Sequence, residues 1–188
     1  MKKLLILFCL ILINIYMPTN NAYAENARWQ NPQMIYTYVP SGYRHSALMK
    51  EAFAYWSRIT KNKIIFKYVN NKDKAQIKVR FVKDTSSITQ LENALGITHY
   101  KAQRICTSNG CKTYITQANI DIANNTPGGG ALVKDRVYGI MIHEIGHAIG
   151  LIDHSQDKKS LMYPYKISRN QTITQDDLTE LAKLYGWK

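Results

Sequence analysis

The sequence predicts an α+β fold in a single domain, on three observations. The chain has 188 residues, 45% hydrophobic and 20% charged, which is typical of one globular domain. Strand-like segments predominate in its first two thirds, and two long helical patterns come last. No internal repeat, linker or low-complexity tract interrupts them. This order favours α+β and excludes a disordered polyelectrolyte, a collagen-like fibre and a multi-domain chain.

The first 24 residues have the pattern of a secretory signal. Two lysines follow Met1, residues 4–15 are almost wholly apolar, and residues 22–24 (Ala-Tyr-Ala) match the small-x-small pattern of signal peptidase sites. The apolar run is shorter than the roughly 20 residues that span a bilayer, although an uncleaved membrane anchor is the alternative. Cleavage after Ala24 leaves residues 25–188 as the domain, with a formal charge of +10. We therefore expect a secreted, extracellular protein.

The early elements are predicted from their periodicity. Residues 34–39, 64–68 and 77–82 are rich in β-branched and aromatic side chains and are expected to be strands. A helix is expected from about Ser46, because apolar residues recur on one helical face. These residues are Leu48, Ala52, Tyr55, Trp56 and Ile59.

The middle of the chain predicts an antiparallel ribbon. Residues 95–104 and 114–122 flank the turn signal Asn109-Gly110, with Cys106 and Cys111 on either side of it. Two cysteines facing each other across a hairpin in an exported protein favour a disulfide. Half of a metal site is the alternative.

Two helices are predicted near the end. A Gly-rich break at 127–130 precedes an apolar helix from about residue 131 to residue 150. The last helix runs from Thr174 to about Tyr185, where Thr174 and Asp177 make a capping box.

The apolar helix carries the residues that indicate chemistry. His143 and His147 are four apart, so both imidazoles project from one helical face and suit a tetrahedral zinc ion. Glu144 follows the first histidine and can take a proton from zinc-activated water. Gly150 permits a sharp turn back towards the metal. Ordinary helical histidines without a catalytic role are the alternative, but Gly150 and Asp153 at the right offsets oppose it.

The sequence resembles the metzincin metallopeptidases, and within them the matrixins. The match comprises His143, Glu144, His147 and Gly150, with Met162 in the methionine turn beneath the zinc. Segments 163–164, 175–177 and 184–186 also look like matrixins. The resemblance covers nearly all of residues 25–188. It implies a twisted mixed sheet with an active-site helix, a second helix packed on the sheet and a C-terminal helix.

The third zinc ligand is where this sequence departs from the family pattern. The position three after Gly150 is Asp153, and His154 follows one place later. Snapalysin-like metzincins have aspartate at that position, so Asp153 is the expected ligand. His154 is the alternative and requires one extra residue in the return loop.

Two further departures concern regulation and structural metals. No pro-segment with a zinc-blocking cysteine is expected before the domain, so cysteine-switch latency is not expected. The His- and Asp-rich loop that holds structural zinc and calcium in the animal enzymes is missing, so one catalytic Zn²⁺ is the expected cofactor. His99 stands alone on a predicted strand and is interpreted as a surface or cleft residue.

The resemblance implies a secreted zinc endopeptidase with an open cleft. An extended peptide would pair with residues 95–99 as an antiparallel strand, and Pro164-Tyr165-Lys166 would line the pocket just after the scissile bond. Met162 would support the zinc site. A catalytically weak binding protein on the same scaffold is one alternative, and a hydrolase of cell-wall-linked peptides is another.

The net positive charge of the chain indicates which binding partners to expect. The chain has 25 basic and 13 acidic residues, a formal charge of +12, and its lysines are scattered rather than arranged as a nucleic-acid motif. We expect a peptide or protein substrate, no nucleic acid, no membrane span after signal cleavage, and a monomer. An anionic cell-envelope polymer is a further candidate partner, and a merely solvated basic face is the alternative.

Overall fold

The computed structural model describes residues 26–85, 94–108, 110–126, 129–164 and 170–188. These residues form one five-stranded sheet and three α-helices, so the predicted α+β class is confirmed. The elements in chain order are β1 (Ile35–Tyr38), α1 (Ser46–Ile59), β2 (Phe66–Tyr68), β3 (Ile77–Val82), β4 (Gly96–Thr107), β5 (Gly110–Ala123), α2 (Lys134–Ala148) and α3 (Gln175–Tyr185).

The sheet is mixed, with strand order β2-β1-β3-β5-β4. β1, β2, β3 and β5 run parallel to one another, and β4 pairs antiparallel to β5 at the edge. The β4–β5 register places Thr98 opposite Ile120 and Cys106 opposite Cys111, with a shift between Lys101 and Ala102. The sheet therefore ends in a long antiparallel ribbon of β4 and β5, with β4 outermost.

The main core lies where α1 and α2 pack on the sheet. Trp56 of α1 is fully buried, and its indole nitrogen donates a 2.9 Å hydrogen bond to the carbonyl of Ile142 in α2. Phe53 of α1 packs on Phe66 of β2, with ring centroids 4.6 Å apart. Because α2 is buried along most of its length, the histidines it carries have few ways to reorient.

The C-terminal end of α2 is held by residues from both ends of the domain. The Trp29 indole donates to the carbonyl of Ala148 at 2.9 Å, and the Tyr185 hydroxyl donates to that of Ile149 at 2.8 Å. These two carbonyls belong to the last turn of α2 and its cap, which have no later helical N–H to bond. The end of the helix is thereby fixed just before Gly150.

The element bounds differ from the sequence predictions in a few places. β2 has three residues rather than the five predicted, and a short 3₁₀ turn at Lys72–Lys74 was not predicted. β4 and β5 extend to the cysteines because the ribbon pairs up to its turn. α2 begins at Lys134, later than predicted. The predicted capping box of α3 is confirmed.

No helix in these described ranges is both long and apolar enough to cross a membrane. The predicted signal segment, residues 1–24, lies outside the described residues.

Candidate active site

Two histidines of α2 present their outer ring nitrogens to a common point. His143 and His147 are one helical turn apart, with ring centroids separated by 4.6 Å. Their Nε2 atoms lie 3.0 Å apart. The helix therefore provides two converging imidazole nitrogens, as the four-residue spacing predicts.

The inner ring nitrogens are held by backbone carbonyls. His143 Nδ1–H donates to the carbonyl of Leu161 at 2.6 Å, and His147 Nδ1–H donates to that of Leu151 at 2.6 Å. A carbonyl oxygen can only accept, so both rings carry their proton on Nδ1 and keep the Nε2 lone pair free for a metal. The sequence does not reveal these two carbonyl partners, because each is fixed by how the chain returns after α2.

His154 completes the group. Its ring centroid lies 5.3 Å from that of His143 and 4.9 Å from that of His147. One ring nitrogen from each of the three histidines lies within 4.8 Å of the others. Among the residues that the structure describes, this is the one group of three or more His, Cys, Asp or Glu side chains able to hold a metal ion.

The expected third ligand, Asp153, is not a member of this group, whereas the alternative, His154, is. A sharp turn separates both residues from the end of α2. Gly150 has φ +113°, and the amide of Ile152 donates to the carbonyl of Gly150 at 3.0 Å, which closes a tight three-residue turn. The count of three residues from Gly150, on which the choice of Asp153 rests, crosses this turn.

Burial keeps the two helical histidines neutral. It lowers the pKa of His143 to about 4 and that of His147 to about 3, with the neighbouring histidines adding to the shift in each case. Burial also lowers the pKa of His154, while the charge of Asp153 acts in the opposite direction. Neutral imidazoles are the form that binds a metal ion.

This donor set fits zinc. Zinc favours imidazole nitrogen, and a catalytic site has three protein ligands with one position left for water or substrate. Here three imidazoles converge, and two of them have their second nitrogen bonded to a carbonyl, as metal-bound histidines usually do.

Glu144 lies beside this group and is buried. Its Oε2 accepts a 2.8 Å hydrogen bond from the hydroxyl of Thr98 on β4. Burial raises the pKa of Glu144 to about 7, the Thr98 bond opposes that shift, and the charge of Asp121 adds to it. A carboxyl with a pKa near neutrality can both take up and release a proton at ordinary pH.

The segment predicted to be the methionine turn packs against α2 at Gly146, the residue before His147. Met162 is buried, and a Cβ added at Gly146 of α2 would lie 2.5 Å from its sulfur. The amide of Met162 donates to Ser160 Oγ at 2.8 Å. Gly146 thus leaves the space that the end of the Met162 side chain occupies against the helix. The sequence shows the motif, but only the fold shows this contact.

The remaining predicted residues lie outside the histidine group. Cys106 and Cys111 form the predicted disulfide near the end of the ribbon. His99 is exposed on β4 opposite Asn119. Of the predicted pocket wall, Tyr165 and Lys166 lie outside the described residues.

Comparisons with known proteins agree with this architecture. The matrixin family model matches residues 28–186. Karilysin from Tannerella forsythia is 25% identical over 206 aligned positions, covering 100% of this chain and 42% of karilysin. Metalloendoproteinase 1-MMP from Arabidopsis thaliana is 28% identical over 142 residues, covering 74% of this chain and 37% of that protein. The chain thus spans less than half the length of these curated relatives.

The fold also matches a solved structure. The structure of myroilysin superimposes with a TM-score of 0.51 and 14% identity, covering 88% of this chain and 98% of that one. This likeness concerns the fold alone. Since the family model spans nearly all of the described domain, the chain belongs to the matrixin family.

Proposed function

We propose that this protein is a secreted zinc endopeptidase in which His143, His147 and His154 hold the metal and Glu144 is the general base. The observation that carries the proposal is the convergence of three histidine nitrogens within 4.8 Å beside a buried glutamate. Asp153, which the sequence favoured as a ligand, is given no metal role here. The sequence of residues 1–24 supports secretion.

The chemistry divides between the metal and the chain. When bound, zinc supplies a Lewis acid that polarises the peptide carbonyl and makes water nucleophilic at neutral pH. The Glu144 carboxylate takes a proton from the attacking water, whose oxygen forms the new bond to the carbonyl carbon. Glu144 then gives that proton to the amine nitrogen as the C–N bond breaks. Its raised pKa suits both transfers.

The sheet offers a place for the substrate. Among the described strands, β4 lies at one edge of the sheet, and its first residues, Gly96 and Thr98, lie against Glu144. An extended peptide that pairs with this edge would pass directly beside the general base. This supports an open cleft that accepts internal segments of a chain, and hence endopeptidase activity.

Cleavage profiling tests the proposal. The zinc-loaded protein is incubated with a broad peptide library, alongside a chelated sample and Glu144→Ala. We expect internal cleavage that chelation removes and zinc restores, and that Glu144→Ala abolishes while still binding zinc. Equal cleavage by Glu144→Ala would refute the role of this glutamate.

The two alternatives have distinct outcomes in the same assay. A binding protein on this scaffold would bind peptides without cleaving any, yet its buried Glu144 beside the histidines would then serve no purpose. A hydrolase of wall-linked peptides would release fragments from purified wall material and leave the peptide library intact.

A basic groove supports a second, weaker interaction with an anionic cell-envelope polymer. The groove has a volume of about 810 Å³ between the ribbon and α3, and four basic residues and one acidic residue line it. These are Arg28, Arg104, Lys112, Lys183 and Glu180. Binding to purified wall material should weaken in Lys112→Glu and Lys183→Glu and fall with added salt. Binding that is unchanged at high salt would contradict this electrostatic explanation.

A further inference from the structure

The side chain of Glu144 lies flat against the first residues of β4. A Cβ added at Gly96 would be 2.6 Å from Glu144 Cγ and 2.7 Å from its Oε1, closer than side-chain atoms approach one another. The same Cβ would lie 2.8 Å from Ile140 Cγ2. Gly96 is therefore the residue that lets the carboxyl reach this position against the strand.

Thr98 contacts the same glutamate two residues further along β4. Its hydroxyl lies 2.8 Å from Glu144 Oε2 and 2.9 Å from the Glu144 backbone carbonyl. Side chains two apart on a strand face the same side, so Gly96 and Thr98 together form the surface on which Glu144 rests. The backbone at Thr98 is itself held in register opposite Ile120 of β5.

The Thr98 hydroxyl has two acceptors on the same residue. It has one hydrogen to donate, and both the Glu144 carboxylate oxygen and the Glu144 backbone carbonyl lie within hydrogen-bond distance of it. One hydroxyl therefore contacts Glu144 at its backbone and at the end of its side chain, which fixes where the carboxyl lies relative to α2.

We propose that Thr98 is a positioning residue for Glu144, which fixes the direction of the general base from the strand that pairs with the substrate. This inference rests on the proposed function. It gives β4 a second role besides pairing with the peptide, because the same strand would then orient both the peptide and the base. Thr98 acts through Glu144 and is not itself assigned a contact with the reacting atoms.

Two substitutions separate the hydroxyl from the rest of the side chain. Thr98→Val replaces the hydroxyl by a methyl of similar size, whereas Thr98→Ser keeps the hydroxyl. We expect Thr98→Val to lower kcat by about 10- to 100-fold, which is less than the roughly 100- to 10,000-fold that a general base contributes, because Glu144 itself remains. KM should change by less than about 3-fold, since a base-positioning contact does not bind the peptide. Thr98→Ser should recover kcat to within about 3-fold of wild type.

A matched control lies on the same ribbon. Thr116 is exposed on β5, and its hydroxyl donates to the carbonyl of Lys101 at 3.2 Å, so Thr116→Val removes a sheet hydroxyl that does not contact Glu144. It should leave kcat and KM unchanged. Zinc content and melting temperature are measured for every variant, and we expect Thr98→Val to bind zinc as wild type does and to remain folded at the assay temperature, with a melting temperature lowered by the lost hydrogen bond.

A double-mutant cycle shows whether Thr98 acts through Glu144. If it does, adding Thr98→Val to Glu144→Gln changes the residual rate by less than about 2-fold, because coupled residues are not additive. A full additional loss in that background would overturn the proposal.

The remaining outcomes are also decisive. Unchanged kcat in Thr98→Val, or a Thr98→Ser as slow as Thr98→Val, would show that the hydroxyl does not position the base. Loss of zinc or folding in both Thr98→Val and Thr98→Ala would make the residue structural and overturn the proposal as well. Failure of the proposed function is distinguishable, since wild type itself would then show no chelator-sensitive cleavage.

Discussion

The hydroxyl of Ser160 donates a 2.7 Å hydrogen bond to Oδ2 of Asp177, and this contact joins the methionine turn to the first turn of α3. The same Ser160 oxygen accepts from the amide of Met162, and the same Asp177 oxygen accepts from the amide and hydroxyl of Thr174. One buried network therefore holds the helix cap and the turn beneath His143.

Ser160→Ala should destabilise the protein by about 1–3 kcal/mol, because it leaves a buried amide and a buried carboxylate each short of one partner. Urea unfolding of the metal-free protein measures the loss. Zinc affinity should fall too, because the carbonyl that holds His143 is that of Leu161, the next residue. Ser41→Ala, at an exposed position, is the control. If it lowers the free energy of unfolding as much as Ser160→Ala does, the hydrogen-bond network does not account for the loss.

The third ligand is tested by comparing His154→Ala with Asp153→Ala. We expect His154→Ala to lose zinc more severely than the roughly 10- to 100-fold weakening caused by removing a partner of a metal ligand. Asp153→Ala should keep its zinc, since Asp153 lies outside the histidine group. Metal content by elemental analysis after dialysis decides between them, and loss of zinc in Asp153→Ala alone would restore the assignment made from the sequence.

The metal-free protein should lose stability on acidification. The unfolded histidines have a pKa of 6.5, whereas burial lowers the folded values to about 4 for His143 and about 3 for His147. Below pH 6.5 the unfolded state therefore binds protons that the folded state does not, so stability is complete above 6.5 and declines towards pH 4. By pH 5 the loss should be about 1–2 kcal/mol for each histidine.

Chemical unfolding of the chelated protein at pH 7.5 and pH 5 checks this dependence. His143→Gln/His147→Gln cannot gain these protons, so its unfolding free energy should vary less between the two pH values. A variant with the same pH dependence as wild type would assign the acid sensitivity to other groups.

The buried carboxylate of Asp121 on β5 forms an ion pair with the exposed Arg80 on β3. Arg80 donates two 2.6 Å hydrogen bonds to Asp121, whose side chain is 0% exposed while that of Arg80 is 62% exposed. Arg80→Ala should destabilise the fold by about 1–3 kcal/mol, less than for a wholly buried pair because water can reach the vacated position.

Arg80→Lys is the matched variant for this pair. It keeps the charge but loses the two-pronged geometry, so it should fall between Arg80→Ala and wild type. Thermal and urea unfolding measure all three proteins. Equal stability of Arg80→Ala and wild type would show that Asp121 does not need its partner.

Features set by local periodicity could be predicted from the sequence. The bounds of α1 follow from the helical period of 3.6 residues, and those of β3 follow from the strand period of 2 residues. The helical period also places His143 and His147 on one face of α2. The capping box of α3 is equally local, since Thr174 and Asp177 are three residues apart.

Features that depend on distant packing could not be predicted. The grouping of His154, rather than Asp153, with His143 and His147 follows a turn at Gly150 whose conformation has no periodic signature in the sequence. The contact between Thr98 and Glu144 joins residues 46 apart and exists only because α2 packs beneath β4. Such contacts require the assembled fold, even when each element is correctly predicted.

Because β4 lies at the rim of the sheet, it is open to pairing with a substrate, and it is equally open to pairing that leads to aggregation. A long strand whose outer backbone edge pairs with no other described strand is a template for any extended chain, including a second copy of this protein. Lys101 and Arg104 on β4 and Lys112 on β5 make this rim positive, so like charges repel when two rims approach. We expect this repulsion to oppose pairing between two molecules, and concentrated salt, which screens it, to promote aggregation.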